Sequence, residues 1–314
     1  MIYIGIDLGG TGIKAGVVDE KGVILCKESC PTGVERGYEA VIRDMAQLAI
    51  KAVETSGHTM DDVKSVGIGI PGIMDPKTGI VPFCTNLSWH NVPILDEMHK
   101  YIDKPVYVDN DATVAGLAEA VSGVSAGLSN SVFITLGTGV GGGIILGGKV
   151  FSGSHGVASE IGHMITVAGG EPCTCGNRGC WERYASATAI IREGRKMAEA
   201  NPETALMKRV NGKPEAITAK DVIDLAKEGD PDCAKLFDNY VYHLCVGLSN
   251  LINLYDPELI ALGGGVSAAG DFLLNAVRAK LPEMVFYKDM PYARIELAQL
   301  KNDAGIIGAA MLGK

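Results

Sequence analysis

One histidine and three cysteines near the middle of the chain have the composition of a closed metal site. They are His163, Cys173, Cys175 and Cys180, and the glycines between the last two permit a tight turn. A Cys₃His set is typical of a structural zinc ion, whereas a hydrolytic zinc keeps one coordination position open for water. The sequence therefore predicts structural zinc, and the alternative is a reduced cysteine cluster without metal.

Two glutamates flank this set. Glu160 precedes His163 by three residues, and Glu182 follows Cys180 by two. A bound zinc ion would therefore hold both carboxylates in place. Ionised carboxylates only accept hydrogen bonds and sugar hydroxyls donate them, so the pair is suited to vicinal hydroxyls. The alternative for each glutamate is a solvated surface charge.

Three glycine turns follow segments with strand character. Such turns let the backbone approach a phosphate and point N–H groups at it, although a lone turn can equally be a tight hairpin. The first turn also carries a carboxylate suited to Mg²⁺ through water, and it leads into a second strand, which disfavours both a dinucleotide fold and a P-loop. The candidate nucleotide and magnesium residues are Asp7, Gly9, Gly10, Thr11, Gly12, Lys14, Gly137, Thr138, Gly139, Gly264 and Gly265.

A further acidic candidate lies where a predicted strand passes into a helix. Asp111 could accept the proton of an attacking hydroxyl, and Asn110 could hydrogen-bond the same molecule. The alternative is that Asp109 or Asp111 only caps the helix. Gly72 and Asn86, which also follow apolar segments, could complete a rim that binds hydroxyls.

Short apolar runs bounded by glycine alternate with amphipathic segments along the chain, which predicts an α/β fold. The predicted strands are Tyr3–Ile6, Gly16–Val18, Gly22–Cys26, Val63–Ile70, Val106–Val108, Val132–Leu136, Ile144–Leu146, Lys149–Phe151, Leu259–Leu262 and Arg294–Leu297. The predicted helices are Tyr38–Ser56, Ile94–Tyr101, Thr113–Ser122, Ala187–Ala200, Ala219–Lys227, Cys233–Tyr255, Asp271–Leu281 and Gly305–Leu312. Segment 153–180 is predicted to be irregular. A strand, a glycine turn and a return strand occur near residue 10 and again near residue 138, which indicates two similar lobes.

Composition narrows the class of partner. The 314 residues include 28 Lys and Arg against 37 Asp and Glu, a net charge of −9, and no long basic run. We therefore expect no nucleic acid and no anionic membrane as partner, because both require a cationic surface. The N-terminus lacks the features of a secretory signal and no apolar run is long enough to span a bilayer, so the expected compartment is the cytoplasm, with all eight cysteines reduced.

The motifs together resemble the ROK family of sugar kinases and repressors, and within it the branch of bacterial ATP-dependent glucokinases. The resemblance rests on Asp7–Thr11, on Glu160 with Gly162 and His163, and on the run from Cys173 to Glu182. It implies an actin-like ATPase (ribonuclease H-like) fold with two lobes around a cleft. The smaller lobe would comprise residues 1–109 and 300–314, and the larger would comprise 110–299, including the zinc-binding segment 160–182.

The resemblance also implies roles for the candidate residues. Asp111 would be the general base toward the 6-hydroxyl of a hexose, with ATP and Mg²⁺ as cofactors and zinc on His163 and the three cysteines. Homodimers or dimers of dimers are expected, as is common in the family. The implied sugar-binding residues are Gly72, Asn86, Asn110, Asp111, Glu160, His163 and Glu182.

The sugar and the phosphoryl donor stay open at this point. The run from Cys180 to Ser186 favours glucose, but related kinases for N-acetylmannosamine, N-acetylglucosamine, allose and fructose share these motifs, and polyphosphate is an alternative donor. A regulator that binds sugar without phosphorylating it is the rival from another class. Repressors of the family carry an added N-terminal helix-turn-helix, for which the first strand at residue 2 leaves no room, and a sensor would be expected to lose Asp111 or the phosphate turns.

Overall fold

A computed structural model describes all residues, Met1–Lys314, and contains twelve strands and ten α-helices. The strands are β1 Ile2–Leu8, β2 Gly12–Asp19, β3 Ile24–Pro31, β4 Val63–Ile70, β5 Val81–Cys84, β6 Trp89–Val92, β7 Val106–Asn110, β8 Ser131–Leu136, β9 Val140–Leu146, β10 Lys149–Val150, β11 Leu259–Gly263 and β12 Arg294–Leu297. The helices are α1 Tyr38–Thr55, α2 Ile94–His99, α3 Asp111–Ser122, α4 Glu182–Ala185, α5 Ala187–Ala200, α6 Ala205–Arg209, α7 Ala219–Lys227, α8 Pro231–Tyr255, α9 Asp271–Lys280 and α10 Ala304–Met311. None of these helices combines the length and the apolar character needed to span a membrane.

Two five-stranded sheets repeat one strand order. The first runs β3-β2-β1-β4-β7 and the second runs β10-β9-β8-β11-β12. In each sheet three consecutive strands form one side, and two later strands extend the other. In the first sheet β1 is antiparallel to β2 and parallel to β4, and β4 is parallel to β7. The internal repeat predicted from the two glycine turns is thus confirmed at the level of topology.

The centre of the first sheet is covered on both faces. Apolar side chains of β1, such as Ile4 and Ile6, belong to the larger core that includes the buried face of α1. On the other face α10 lies directly on the backbone of β1. A Cβ atom on Gly5 would be only 1.9 Å from the carbonyl oxygen of Ile306, which explains why β1 has glycine at this position.

The chain divides into two compact units. One comprises Met1–Phe133, Gly143–Ser159 and Ala298–Lys314, and the other comprises Ile134–Gly142 and Glu160–Leu297. The first unit contains the first sheet with α1, α3 and α10. The second contains the cysteine and histidine set and the helices from α4 to α9. The division inferred from the family resemblance, 1–109 with 300–314 against 110–299, stays a prediction.

Several element boundaries differ from the prediction. β3 begins at Ile24 rather than at Gly22, because Gly22 has a φ of 81° and belongs to the turn. α3 begins at Asp111, two residues before the predicted start. The β5–β6 hairpin and the short helices α4 and α6 were not predicted. The segment between β10 and α4 is irregular as predicted, apart from a 3₁₀ turn at Ile161–His163.

Candidate active site

A short backbone loop brings the three cysteines together. Cys173 N–H donates to the carbonyl of Asn177 at 2.8 Å, and Gly176 N–H donates to the carbonyl of Cys173 at 3.0 Å. Gly176 and Gly179 have φ angles of 93° and 84°, a backbone region that favours glycine. The loop therefore turns back on itself within a few residues, as the glycine spacing predicts.

The four donor atoms fit one zinc ion. The Sγ atoms of Cys175 and Cys180 are 3.6 Å apart, and Cys173 Sγ is 3.7 Å from His163 Nδ1. All four donor atoms lie within 4.8 Å of one another. A tetrahedral zinc ion with Zn–S bonds of about 2.3 Å holds its sulfurs about 3.8 Å apart, close to the observed separation. His163, Cys173, Cys175 and Cys180 are therefore suited to hold the ion without an open position for water.

The thiols differ in their ease of ionisation. Burial raises the pKa of Cys180 to about 12 and also raises the pKa of Cys173. The backbone N–H of Asn177 lowers the pKa of Cys175. Because zinc binds thiolates, loading the site would release protons from the two buried cysteines. Zinc affinity should therefore fall as the pH is lowered.

Both flanking glutamates lie beside the His163 ring. Glu182 Oε1 is 3.8 Å from Nδ1 and accepts a hydrogen bond from Cys173 Sγ at 3.1 Å. Glu160 Oε2 is 3.9 Å from Nε2, on the other side of the ring. The Glu182 side chain is 17% exposed and that of Glu160 is 44% exposed. The two carboxylates thus lie on opposite sides of the His163 ring, with Nε2 facing Glu160. The hydrogen bond from Cys173 to Glu182 is made by the thiol, before zinc would displace its proton.

A buried tryptophan fixes this segment to the longest helix, a feature that the sequence reasoning missed. Trp181 is fully buried, and its indole N–H donates to the carbonyl of His243 on α8 at 2.9 Å. A Cβ atom on Gly247 would be 2.0 Å from the indole ring, so the helix accepts the ring only because this residue is glycine. Trp181 lies between Cys180 and Glu182, so anchoring it also anchors a candidate zinc ligand and a candidate sugar ligand.

The second and third glycine turns meet. A Cβ atom on Gly264, whose φ is 81°, would be 2.6 Å from the backbone nitrogen of Leu136, immediately before the second turn. In the second turn Gly137 N–H donates to the carbonyl of Gly139 at 3.0 Å, and Thr188 Oγ1 donates to the carbonyl of Thr138 at 2.6 Å. Gly137–Gly139 and Gly264–Gly265 thus come together, as a shared nucleotide site requires.

A mainly apolar pocket of about 360 Å³ opens beside the third turn. Gly265 and Val266 line one side, while Ile191 and Ile223 contribute from α5 and α7. Lys220, Asp224 and Lys227 add charged groups to the lining. The pocket has the apolar walls with few polar groups that are typical of a site for a flat heterocycle.

The first glycine turn carries an ion pair. Lys14 Nζ is 3.1 Å from Asp7 Oδ2, at the point where β1 ends and β2 begins. Gly9 N–H donates to the carbonyl of Gly12 at 2.9 Å, and Gly10 lies against the backbone of Asn86. The remaining residue of the turn, Thr11, accepts through its carbonyl from the N–H of Thr32. Asp7 and Lys14, predicted to contact magnesium and polyphosphate respectively, are therefore adjacent.

The candidate base begins a helix that its neighbour caps. Asn110 Oδ1 accepts from the N–H groups of Ala112 and Thr113 at 2.9 and 3.4 Å, so Asn110 is the N-cap of α3. The N-cap is thus Asn110 rather than Asp109 or Asp111, although Asp111 Oδ1 also accepts from the N–H of Ala112 at 2.7 Å. Asn110 Nδ2 donates to the carbonyl of Gly72 at 3.2 Å, which brings a second predicted sugar-binding residue close to Asp111. Asp111 is exposed at the surface of its unit.

Gly72 and Asn86 are linked through a cysteine. Cys84 Sγ donates to the carbonyl of Pro71 at 3.1 Å, and a Cβ atom on Gly72 would lie 3.2 Å from Cys84 Cβ. Burial raises the pKa of the Cys84 thiol. Asn86 follows two residues later in a short 3₁₀ turn. The structure therefore brings Gly72, Asn86, Asn110 and Asp111 together within one unit, and it brings Glu160, His163 and Glu182 together within the other.

Comparison with known proteins defines the class. The profile of the ROK family matches residues 3–314, so the chain belongs to the ROK family. A glucokinase of Thermotoga maritima is 38% identical over 315 residues, covering 99% of this chain and 96% of that protein. A xylose repressor of Caldicellulosiruptor bescii is 30% identical, and the match covers 97% of this chain and 76% of the repressor.

A solved structure supports the same conclusion. The ROK family glucokinase of Streptomyces griseus, in complex with glucose and AMPPNP, superposes with a TM-score of 0.82 at 38% identity and covers 99% of both chains. The actin-like ATPase fold predicted from the sequence is confirmed by this similarity. The protein is a ROK family sugar kinase.

Proposed function

We propose that the protein transfers the γ-phosphoryl group of ATP to the 6-hydroxyl of a hexose, with glucose as the preferred substrate. This proposal rests on the observation that the same chain contains two groups of candidate site residues. One has an exposed carboxylate, Asp111, at the capped start of α3. The other has two carboxylates beside the metal-binding residues. Similarity over nearly the whole chain to the Thermotoga maritima and Streptomyces griseus glucokinases supports glucose and ATP as the substrates.

Asp111 acts as the general base. Its carboxylate accepts the proton of the 6-hydroxyl as that oxygen attacks the γ-phosphorus, and the bond to the β-phosphate oxygen breaks to release ADP. Asn110 and Gly72 hold the start of α3 and the end of β4 together, so the base is presented from a rigid backbone. The negative charge of Asp111 is not sufficient by itself, because a general base must lie within hydrogen-bond distance of the proton that it accepts.

Glu160, His163 and Glu182 select the sugar, with Asn86 and Asn110 completing the hydroxyl contacts. The two carboxylates accept from sugar O–H groups, and His163 contributes Nε2 while its Nδ1 faces the cysteines. Zinc, when bound, supplies structural rigidity and no chemistry. His163, Cys173, Cys175 and Cys180 are the residues that would hold it.

The glycine turns bind the nucleotide. The backbone of Gly137–Gly139 and Gly264–Gly265 binds phosphate oxygens, and the apolar pocket beside Gly265 takes the base. Asp7 is the residue that would hold Mg²⁺ through water, and Mg²⁺ would neutralise charge on the polyphosphate. Lys14, which pairs with Asp7, is free to turn to the phosphates because its side chain is 43% exposed.

The test is a coupled assay of ADP release with a panel of hexoses and 2-acetamido sugars. Glucose should give the highest kcat/KM. Absence of turnover with every sugar would refute the kinase proposal. A preference for N-acetylmannosamine, N-acetylglucosamine, allose or fructose would refute only the choice of glucose, and a preference for polyphosphate over ATP would refute only the choice of donor.

The second candidate function is that of a regulator that binds sugar without phosphorylating it. The observation behind this candidate is the 30% sequence identity to a xylose repressor. Such a protein would bind sugar, measurable by calorimetry, without releasing ADP. Homodimers or dimers of dimers are proposed by analogy with the family, and light scattering on the purified protein would measure the mass directly.

A further inference from the structure

Asp109, next to the residue that caps α3, is a half-buried carboxylate, and with Asn110 as the cap it has no role in the proposed reaction. It lies near the end of β7, and burial raises its pKa. Its Oδ1 accepts from the N–H of Asn110 at 2.8 Å, and its Oδ2 accepts from the Ser152 hydroxyl at 3.2 Å. Both carboxylate oxygens are therefore held by hydrogen bonds, which offset part of the cost of removing the group from water.

Ser152 belongs to a loop that closes on itself after β10. Its carbonyl accepts from the N–H of Ala158 at 3.1 Å, and Ser159 Oγ donates to the carbonyl of Phe151 at 3.3 Å. Further along the loop, Gly156 lies against the backbone of Met74, which follows the end of β4. The loop therefore contacts the segment that contains Gly72 as well as the end of β7.

One hydrogen-bond network connects these parts. Ser152 binds Asp109, Asp109 binds the backbone of Asn110, and the Asn110 side chain binds both Gly72 and the first turn of α3. Asp111 is the next residue after Asn110. The network thus fixes the backbone on the N-terminal side of the candidate base from three directions: the loop, the end of β4 and the helix itself.

We propose that Asp109 and Ser152 form a positioning pair, which orients the start of α3 so that the Asp111 carboxylate points at the hydroxyl that it deprotonates. This inference rests on the proposed kinase function. Neither member touches the substrate in this role. Their effect is exerted through Asn110, whose amide proton and side chain are both held. A displacement of about 1 Å in a reacting group can cost about a hundredfold in rate, so a partial loss of this support should be measurable in kcat.

The test compares three serine variants of the same loop. Ser152→Ala removes the hydroxyl that binds Asp109 and should lower kcat for the hexose about tenfold, with the KM for ATP unchanged. Ser152→Thr keeps a hydroxyl and should restore most of the rate. Ser159→Ala is the matched control, because its hydroxyl binds a backbone carbonyl of the same loop and does not contact Asp109. It should retain the wild-type kcat.

Two further measurements separate positioning from simple stability. Amide hydrogen exchange of Ala112 and Thr113 should be faster in Ser152→Ala than in Ser159→Ala, because the cap is less firmly held. Asp109→Ala should lower kcat by a similar factor, and the double variant with Ser152→Ala should be no slower than the worse single variant. This non-additivity is what a shared pathway through Asn110 requires.

The outcomes decide the proposal. An unchanged kcat in Ser152→Ala, an equal loss in Ser159→Ala, or a fall in Tm with normal kcat would each overturn it. If Ser152→Ala does not fold, the variant Asp109→Asn takes its place. It keeps the shape of the side chain and should retain most of the wild-type kcat. Equal losses of kcat in Asp109→Asn and Asp109→Ala would overturn the hydrogen-bonding role of Asp109. If the wild-type protein phosphorylates no sugar, the proposed function fails separately, and the exchange data still show whether the pair fixes the start of α3.

Discussion

The replacement Gly139→Ala tests the proposal that Glu182, which lies against the second glycine turn, is a sugar ligand. A Cβ atom on Gly139 would lie 2.6 Å from Glu182 Oε2, a separation that real Cβ contacts essentially never show. Because Oε2 is the end of a flexible side chain, we expect the Glu182 carboxylate to move, and a return to an ordinary contact of 3.4 Å requires a shift of about 0.8 Å. A hydrogen bond of about 2.8 Å lengthened by this amount is essentially lost.

The size of the effect follows from the energy of that hydrogen bond. A hydrogen bond to a charged group contributes about 1.5–3 kcal/mol, which corresponds to a rise of roughly 10-fold to 150-fold in the KM for the hexose. The assay is steady-state kinetics with the sugar varied at saturating ATP. The zinc content should stay at the wild-type level, because Gly139 touches no metal ligand.

Gly137→Ala is the comparison within the same turn. A Cβ atom there would meet nothing within 4 Å, so this variant should leave the KM for the hexose unchanged even if it alters nucleotide binding. If Gly139→Ala leaves the hexose KM at its wild-type value, or if both variants raise it equally, the reasoning that Glu182 is a sugar ligand held against this turn is refuted.

The remaining predictions concern the base, the metal site and the sheet. Asp111→Asn should lower kcat at least a thousandfold while calorimetry still detects hexose binding, and a normal rate would remove Asp111 as the base. Cys175→Ser should lose zinc by metal analysis and raise the hexose KM, because His163 and both glutamates lose their support; a wild-type protein that contains no zinc would contradict the Cys₃His assignment. Gly5→Ala should yield little folded protein, since its methyl group would overlap the carbonyl of Ile306, and a soluble variant with wild-type Tm would contradict the packing of α10 on β1.

Local chemistry made the cluster of His163, Cys173, Cys175 and Cys180 predictable. Cysteine thiols, an imidazole and intervening glycines are identified by residue type and spacing alone, and the structure brings their donor atoms within 4.8 Å of one another. The long strands and helices were predictable for a similar reason, because their apolar periodicity is a local property. β5 was missed because it has only four residues, includes Pro82 and has two adjacent exposed positions instead of alternation.

The supports of the site were not predictable because they join distant residues. Trp181 binds the carbonyl of His243, 62 residues away, and Ser152 binds Asp109 across 43 residues. Nothing in a local window indicates either partner. Residue type also did not show which of Asp109, Asn110 and Asp111 caps α3, since asparagine and aspartate are both good capping residues. The structure adds that the pairing of β7 with β4 extends to Asn110 opposite Ile70, so that the helix starts directly after this residue.

The position of α10 on the first sheet has a consequence for biosynthesis. The sheet is built from residues 2–110, but one of its faces is covered by Ala304–Met311. While the ribosome is still making the second unit, the first unit has an apolar face without its cover. Its folding can be completed only after residue 311 has left the exit tunnel. The nascent chain should therefore depend on chaperones during most of its synthesis, and a protease pulse during translation should cleave the first unit until the last helix has been added.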